Sequence, residues 1–182
     1  MTALVTSSIR FGGQTRTDRI AVGGAVSTIP KKITGGCHCG SIRYEASSLP
    51  ATGVVCHCRD CQRSTGSAFE ALAMFPLDEL VFIKGNPKLY RPSAIMEKGF
   101  CPDCGSQLYD RYVVRISENF REDMLWVHIG TLDDPEIAPI ELHSGVESQL
   151  SWLHFDDGLP RLRCDQDPDL AAAFSAAQAG AG

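Results

Sequence analysis

The chain carries three cysteines within six residues, in the sequence CHCRDC at positions 56–61. Two further groups flank this stretch, CHC at positions 37–39 and CPDC at positions 101–104. Seven of the eight cysteines fall in these groups, and such close spacing is typical of metal ligands rather than of disulfide partners. A closed zinc site takes four thiolates and an open one takes three protein ligands, so seven cysteines predict one site of each kind.

The positions of the groups suggest how the cysteines divide. Alternate residues of a strand share a face, so the two cysteines of each CHC sequence are expected to present their sulfurs on the same side. These pairs are Cys37 with Cys39 and Cys56 with Cys58. The simplest division joins the local cysteines in one site, here called the trio: Cys56, Cys58 and Cys61. The remote pairs then form a closed site, here called the quartet: Cys37, Cys39, Cys101 and Cys104. A division that shares one pair between the sites, such as Cys37 and Cys39 with Cys58 and Cys61, stays open from spacing alone.

Composition limits the classes of function. The chain has 182 residues, of which 43% are hydrophobic, which is enough for one domain with its own core. Its formal net charge of −5 argues against a nucleic-acid partner, which requires a basic face. We find no apolar run of about 18 residues and no secretory signal, so we expect a cytoplasmic protein with no membrane partner. Eight cysteines would allow four disulfides in a secreted chain, but a reducing compartment favours metal.

The chain divides by composition into a central domain and two tails. Residues 1–32 are rich in Ser, Thr, Gly and Arg and lack periodicity, which predicts a disordered or loosely packed N-terminal tail. A zinc-binding domain is expected over residues 33–163. Residues 164–182 are predicted to be a C-terminal tail with a short Ala-rich helix at residues 168–179.

Short apolar or alternating runs between turn signals predict a mainly β domain. Residues 80–90 predict a hairpin around a Gly-Asn-Pro turn, and residues 60–66 predict a tight turn or one short helix. The other predicted strands cover residues 41–46, 53–58, 68–75, 124–130 and 140–143.

Several stretches closely resemble the glutathione-dependent formaldehyde-activating enzyme family, which is also the domain type of centromere protein V. Three of them contain the cysteine groups, and two lie further along the chain. The resemblance extends over residues 33–162. The stretches are GGCHCG at 35–40, CHCRDCQRSTGS at 56–67, GFCPDCGS at 99–106, GTLDDP at 130–135 and SQLSW at 148–152.

The resemblance implies a fold, two metal sites and a reaction. The implied fold is mainly β, a zinc-bearing β-sandwich-like fold with short helical turns, similar to methionine-R-sulfoxide reductases. The quartet would hold a structural zinc, and the trio would hold a second, catalytic zinc. The reaction joins formaldehyde, a small aldehyde, to glutathione, a small thiol, and gives S-hydroxymethylglutathione, formally a carbon–sulfur lyase run backward. The zinc-binding domain would then be the catalytic domain.

The chemistry of the implied substrates indicates how the second site would work. A thiol that coordinates zinc loses its proton, whereas three thiolates give the site a net negative charge that weakens polarisation of a carbonyl. We therefore expect capture of the thiol, and the same charge would make this zinc labile. Glutathione carries two carboxylates, and the basic residues nearest the cysteines in sequence are candidate contacts for them: Arg59, Arg63 and Lys98.

Two other functions stay open at this point. A zinc scaffold of the centromere protein V type without catalysis would have a closed second site and no small-thiol binding. A peptide-sulfoxide reductase needs a nucleophilic cysteine outside the metal sites, and Cys164 is the remaining one, without activating neighbours. The sequence does not determine the oligomeric state.

Overall fold

Strands dominate the part of the chain that the computed structural model describes, residues 19–22, 25–28, 32–117 and 120–179. The strands are β1 (Arg19–Val22), β2 (Ala25–Thr28), β3 (Ile33–Gly36), β4 (Arg43–Ala46), β5 (Thr52–Cys56), β6 (Glu70–Pro76), β7 (Leu80–Lys84), β8 (Lys88–Tyr90), β9 (Met96–Phe100), β10 (Gln107–Tyr112), β11 (Met124–His128), β12 (Ile140–Ser144) and β13 (Arg161–Leu162). The α-helices are α1 (Arg59–Thr65) and α2 (Pro168–Ala179). The mainly β class predicted from the sequence is confirmed.

The strands form one large sheet, one small sheet and a separate pair. The large sheet has eight strands in the order β13-β12-β5-β6-β11-β10-β9-β8, and the small sheet has the order β3-β4-β7. Strand β12 pairs in parallel with both β5 and β13, and the other pairs are antiparallel. The third sheet is the β1–β2 pair.

Both faces of the large sheet are covered, and this explains the nearly continuous apolar sequence of its central strands. On β6, Ala73 and Phe75 belong to a core shared with the small sheet, whereas Leu72 and Met74 belong to a second core on the opposite face. Strand β11 alternates in the same way. Helix α2 covers the second core through its buried Leu170.

Two local predictions about strand geometry are wrong. Residues 80–90 do not form a hairpin, because β7 pairs with β4 in the small sheet while β8 pairs with β9 in the large sheet. Cys37 and Cys39 do not lie in a strand, since β3 ends at residue 36 and both follow in a turn closed by the Gly40 amide on the Cys37 carbonyl. The short helix predicted within residues 60–66 is present as α1 and ends at Gly66, whose φ of 65° is left-handed.

The tails are only partly described. Of the N-terminal tail predicted over residues 1–32, residues 1–18, 23–24 and 29–31 lie outside the described residues, and residues 19–22 and 25–28 form the β1–β2 pair. The helix predicted in the C-terminal tail is present as α2, and it packs on the large sheet. The exact domain limits and the likeness to methionine-R-sulfoxide reductases stay predictions. No helix in the described residues is long and apolar enough to cross a membrane.

Candidate metal centres and active site

The structure brings the quartet together at the edge of the first core. The sulfurs of these four cysteines all lie within 4.8 Å of one another, although two come from the turn after β3 and two from the turn between β9 and β10. Cys37 and Cys101 are buried and Cys39 is exposed. The Cys37 sulfur also accepts the Ile42 amide at 3.2 Å, a contact that favours a thiolate.

The spacing within the quartet fits a zinc ion. Zn–S bonds of about 2.3 Å in a tetrahedron separate neighbouring sulfurs by about 3.8 Å. The Cys39 sulfur lies 3.5 Å from that of Cys37 and 3.9 Å from that of Cys101. Four thiols at these distances without an ion would place four polar, partly ionised groups in contact, whereas a divalent cation would be held by all of them.

The trio lies at the start of α1, and its three sulfurs are also within 4.8 Å of one another. Cys56 ends β5, and Cys61 lies in the first turns of the helix. Cys58 is the N-cap of α1: its backbone is extended, and its sulfur accepts a hydrogen bond from the Cys61 amide at 3.4 Å. The trio therefore results from a strand that ends where a helix begins, rather than from alternation along one strand.

The trio has the acid–base character of a metal site. Hydrogen bonds from Cys56 and Cys61 lower the pKa of the Cys58 thiol to about 2. The contact with Cys58 raises the pKa of the Cys56 thiol, and the contacts with Cys56 and Cys58 raise that of the Cys61 thiol. One thiolate thus accepts from two thiols. A cation that replaces both protons would be bound by three thiolates, so its binding is expected to release protons.

The three basic residues predicted to contact substrate lie in different environments. Arg59 and Arg63 are exposed on α1, and the Arg59 guanidinium donates to the Gln62 side chain. Lys98 is buried on β9 and forms an ion pair with Asp110, directly opposite it on β10. The Lys98 ammonium is therefore engaged inside the protein, while the two arginines remain accessible to a ligand.

Further charged side chains lie close to Lys98 and to the trio. Glu70 and Asp110 are both buried, and one oxygen of each lies within 4.8 Å of the Cys61 sulfur. His128 Nε2 lies 2.9 Å from Glu70 Oε1 and 3.7 Å from Asp110 Oδ1. Burial lowers the pKa of His128, but the two carboxylates outweigh this and raise it to about 9. Two buried carboxylates thus face one buried and one partly buried cation next to a cysteine of the trio.

A second set of hydrogen-bonded side chains, centred on two buried histidines, supports the trio. His57, between two cysteines of the trio, is fully buried, and its Nε2 lies 2.9 Å from His143 Nδ1. His143 Nε2 in turn lies 2.7 Å from Asp157 Oδ2. Burial, with His143 nearby, lowers the pKa of His57 to about 4, so this imidazole is neutral at pH 7. This chain of contacts orients the loop that holds the trio.

These supporting residues were not predictable from spacing, because they come from separate strands. Glu70, Asp110 and His128 lie on β6, β10 and β11, and no spacing in the chain connects them. A charged residue within an otherwise apolar strand was the available signal, since such residues are buried only when they are paired. Strand order was needed to show which charges meet.

Gly145 provides a test of how the trio is positioned. It has a φ of 66°, and a Cβ atom at this position would lie 2.8 Å from the Cys58 nitrogen and 3.0 Å from the Cys58 Cβ. We expect Gly145→Ala to displace Cys58 and to weaken zinc binding at the trio by about 10- to 100-fold, the usual effect of disturbing the support of a ligand. Competition with a chromogenic chelator measures this affinity.

Gly158 offers a matched control for this substitution. It has the same φ of 66°, but a Cβ atom there would have no heavy atom within 4 Å. Gly158→Ala should therefore carry the same backbone strain, about 1–2 kcal/mol, and keep the affinity of the trio. Equal loss of zinc in both variants would show that strain, and not the contact with Cys58, is responsible.

Comparison with protein families gives a match over most of the described chain. The family model described as glutathione-dependent formaldehyde-activating enzyme matches residues 32–146. The matched residues include the quartet, the trio, the buried charges and Gly145. Strand β13 and helix α2 follow the matched part.

Two individual proteins are similar to this chain. A Phaeosphaeria nodorum protein bears the name of a glutathione-dependent formaldehyde-activating enzyme and is 33% identical over 81 residues. That alignment covers 42% of this chain and 43% of the relative, so the chain spans less than half of the relative's length. A crystal structure of a Rhodobacter sphaeroides protein aligns at 20% identity over 71% of this chain and 98% of that one, with a TM-score of 0.44.

Proposed function

Because the chain belongs to the glutathione-dependent formaldehyde-activating enzyme family, we propose that it joins glutathione and formaldehyde into S-hydroxymethylglutathione. The observation that carries this proposal is the trio, whose three cysteines line a cavity of about 300 Å³. The reaction forms one carbon–sulfur bond, so the enzyme would be a carbon–sulfur lyase working in the direction of addition.

The proposal includes two zinc ions per chain. The quartet would hold a structural ion, and the trio would hold the second, with one position of its tetrahedron left for a ligand. A zinc ion at the trio would acidify a thiol that takes this position, since coordinating thiols lose their proton. The cysteines that would hold the ions are Cys37, Cys39, Cys101 and Cys104 for the first and Cys56, Cys58 and Cys61 for the second.

Asp110 is the residue that we assign to proton transfer. It lines the cavity beside Cys61; its Oδ2 is bonded to Lys98, and its Oδ1 makes no hydrogen bond, with His128 Nε2 3.7 Å away. A carboxylate so placed would take the proton that leaves the thiol and return it to the oxygen of the adduct. His128 and Lys98 keep the buried charge balanced while the proton moves.

The peptide part of glutathione would lie outside the cavity. Its two carboxylates need cationic partners, and Arg59 and Arg63 are exposed on the helix that follows the trio. Lys98 is the weakest of the three predicted contacts because its ammonium is paired with Asp110. The cytoplasmic location stays a prediction.

A zinc scaffold without catalysis is the alternative, and the cavity argues against it. That alternative expects a closed second site, whereas all three cysteines of the trio line a space that can hold a small molecule. A purely structural zinc site would not require a cavity beside the trio.

The test combines zinc content with the rate of adduct exchange. We expect two zinc ions per chain by mass spectrometry and acceleration of the exchange between formaldehyde and its glutathione adduct by NMR. Cys58→Ser should lose one zinc and reduce this acceleration by roughly 100-fold or more, because metal ions contribute several kcal/mol to such steps.

Cys164→Ser is the matched control, since Cys164 lines the same cavity without belonging to the trio. It should keep two zinc ions per chain. Normal exchange by Cys58→Ser, or one zinc per chain in the unaltered protein, would contradict the proposal.

A further inference from the structure

The cavity beside the trio is much larger than formaldehyde requires. Its volume of about 300 Å³ corresponds to on the order of ten water molecules, each about 30 Å³ in the liquid. Formaldehyde has a single carbon atom. The remaining space needs an explanation beyond the one-carbon substrate.

The wall of this cavity is apolar. Trp126 and Leu142 from the large sheet face Leu170 and Phe174 from α2 across it, and these residues belong to the second core or pack against it. The three cysteines of the trio also line this cavity. A molecule in the cavity would thus have its reacting atom at the trio and the rest of its surface against hydrocarbon.

The charges on the wall exclude an anion. The ionisable side chains that line it, besides cysteine and tyrosine, are Asp60, Asp110 and Asp167, and there is no Lys, Arg or His among the described lining residues. Glutathione, with two carboxylates, is therefore a poor occupant. An uncharged apolar group meets no such penalty.

Part of the wall lies beyond the segment that matches the family model. Leu162, Cys164, Asp167, Leu170 and Phe174 line the cavity, and all five follow residue 146, where the match ends. These residues line the same cavity as the trio. The C-terminal segment therefore contributes to the apolar wall together with strands inside the matched segment.

We propose that the cavity binds the carbon chain of an apolar aldehyde, so that the enzyme accepts alkyl or aryl aldehydes as carbonyl substrates. This inference rests on the proposed function. The thiolate sulfur forms a bond to the carbonyl carbon, the π electrons of the C=O bond move to oxygen, and the proton that left the thiol ends on that oxygen. Nothing is oxidised or reduced, and the product is an S-(1-hydroxyalkyl) thiol adduct.

The first test is a series of unbranched aldehydes from propanal to hexanal, each with glutathione. Exchange NMR gives kcat/KM for adduct formation after subtraction of the uncatalysed rate. Burial of each added methylene should raise kcat/KM by about two- to fourfold, so the hexanal-to-propanal ratio should be roughly 10 to 60. A ratio near 1, with formaldehyde still turned over, would overturn the inference and leave the proposed function intact.

A second measurement does not depend on turnover. Hexanol has the same carbon chain as hexanal but forms no adduct with a thiol. Trp126 lines the cavity, and its buried indole nitrogen has no hydrogen-bond partner. We expect hexanol to shift the indole N–H resonance of Trp126, identified with Trp152→Phe. Binding of hexanol without exchange of any aldehyde would overturn both the proposed function and the aldehyde assignment. Absence of binding would contradict the apolar cavity directly.

Two variants distinguish the effect of filling the cavity from a general effect on folding. Leu162 is a partly buried residue of the edge strand β13, and Leu162→Trp would fill the cavity from its margin. The hexanal-to-propanal ratio should fall below about 5 in this variant. Leu89→Trp, on the exposed edge strand β8, is the matched control and should retain the full ratio. An unchanged hexanal-to-propanal ratio in Leu162→Trp would show that the carbon chain does not occupy this cavity.

Discussion

Cys37→Ser is expected to lower the melting temperature by about 10 °C or more, and Cys58→Ser by much less. A structural zinc contributes about 10–16 kcal/mol in small zinc-binding peptides, so loss of one ligand can remove a large part of a domain's stability. A loss of about 4 kcal/mol corresponds to about 8–16 °C for a chain of this length. Calorimetry of both variants, with zinc content measured in parallel, tests this difference.

The reason for the difference is the length of chain that each site closes. The quartet joins turns that are 62 residues apart, as between Cys39 and Cys101, whereas the trio lies within six residues. Closing a long loop restricts the unfolded chain more strongly. Serine is also a good N-cap, so Cys58→Ser preserves the start of α1. Equal losses in the two variants would show that the quartet has no special structural role.

Spacing predicted the local parts of the cysteine groups, whereas the joining of the two remote pairs into the quartet depends on the fold. A CPDC turn brings two sulfurs together whatever surrounds it, and the trio needs only the junction between β5 and α1. The predicted reason was nevertheless wrong for Cys37 and Cys39, which lie in a turn after β3 and not in a strand. Metal-ligand spacing was therefore more reliable than the secondary structure assigned to it.

The pairing of strands was not predictable in the same way. Residues 80–90 alternate like a hairpin, but hydrogen bonding to β4 and β9 separates the two strands into different sheets. The same non-local pairing places Lys98 opposite Asp110 and brings His128 to Glu70. The cavity also depends on it, since α2 closes over strands that are distant in sequence. The proposed substrate preference therefore depends on tertiary structure, whereas the local cysteine groups follow from motifs.

Lys98→Met is expected to lower the free energy of unfolding by about 3–5 kcal/mol, the usual cost of leaving one member of a buried ion pair unpaired. The Lys98 side chain is 3% exposed and that of Asp110 is 5% exposed. Burial lowers the pKa of Lys98, but Asp110 and Glu70 outweigh this and raise it, so the ammonium is charged across the accessible pH range. Without it, His128 alone would balance two buried carboxylates. Urea denaturation at constant zinc measures the loss.

The double variant Lys98→Met, Asp110→Leu distinguishes an ion pair from simple packing. If the two charges stabilise each other, the double variant should be at least about 1 kcal/mol more stable than the sum of the single effects predicts. Lys88→Met, at an exposed position of the neighbouring strand β8, is the matched control and should change stability by less than about 0.5 kcal/mol. Additive effects of Lys98→Met and Asp110→Leu would mean that each charge is stabilised by other neighbours, and Asp110 would then lose the counter-charge on which its proposed role in proton transfer depends.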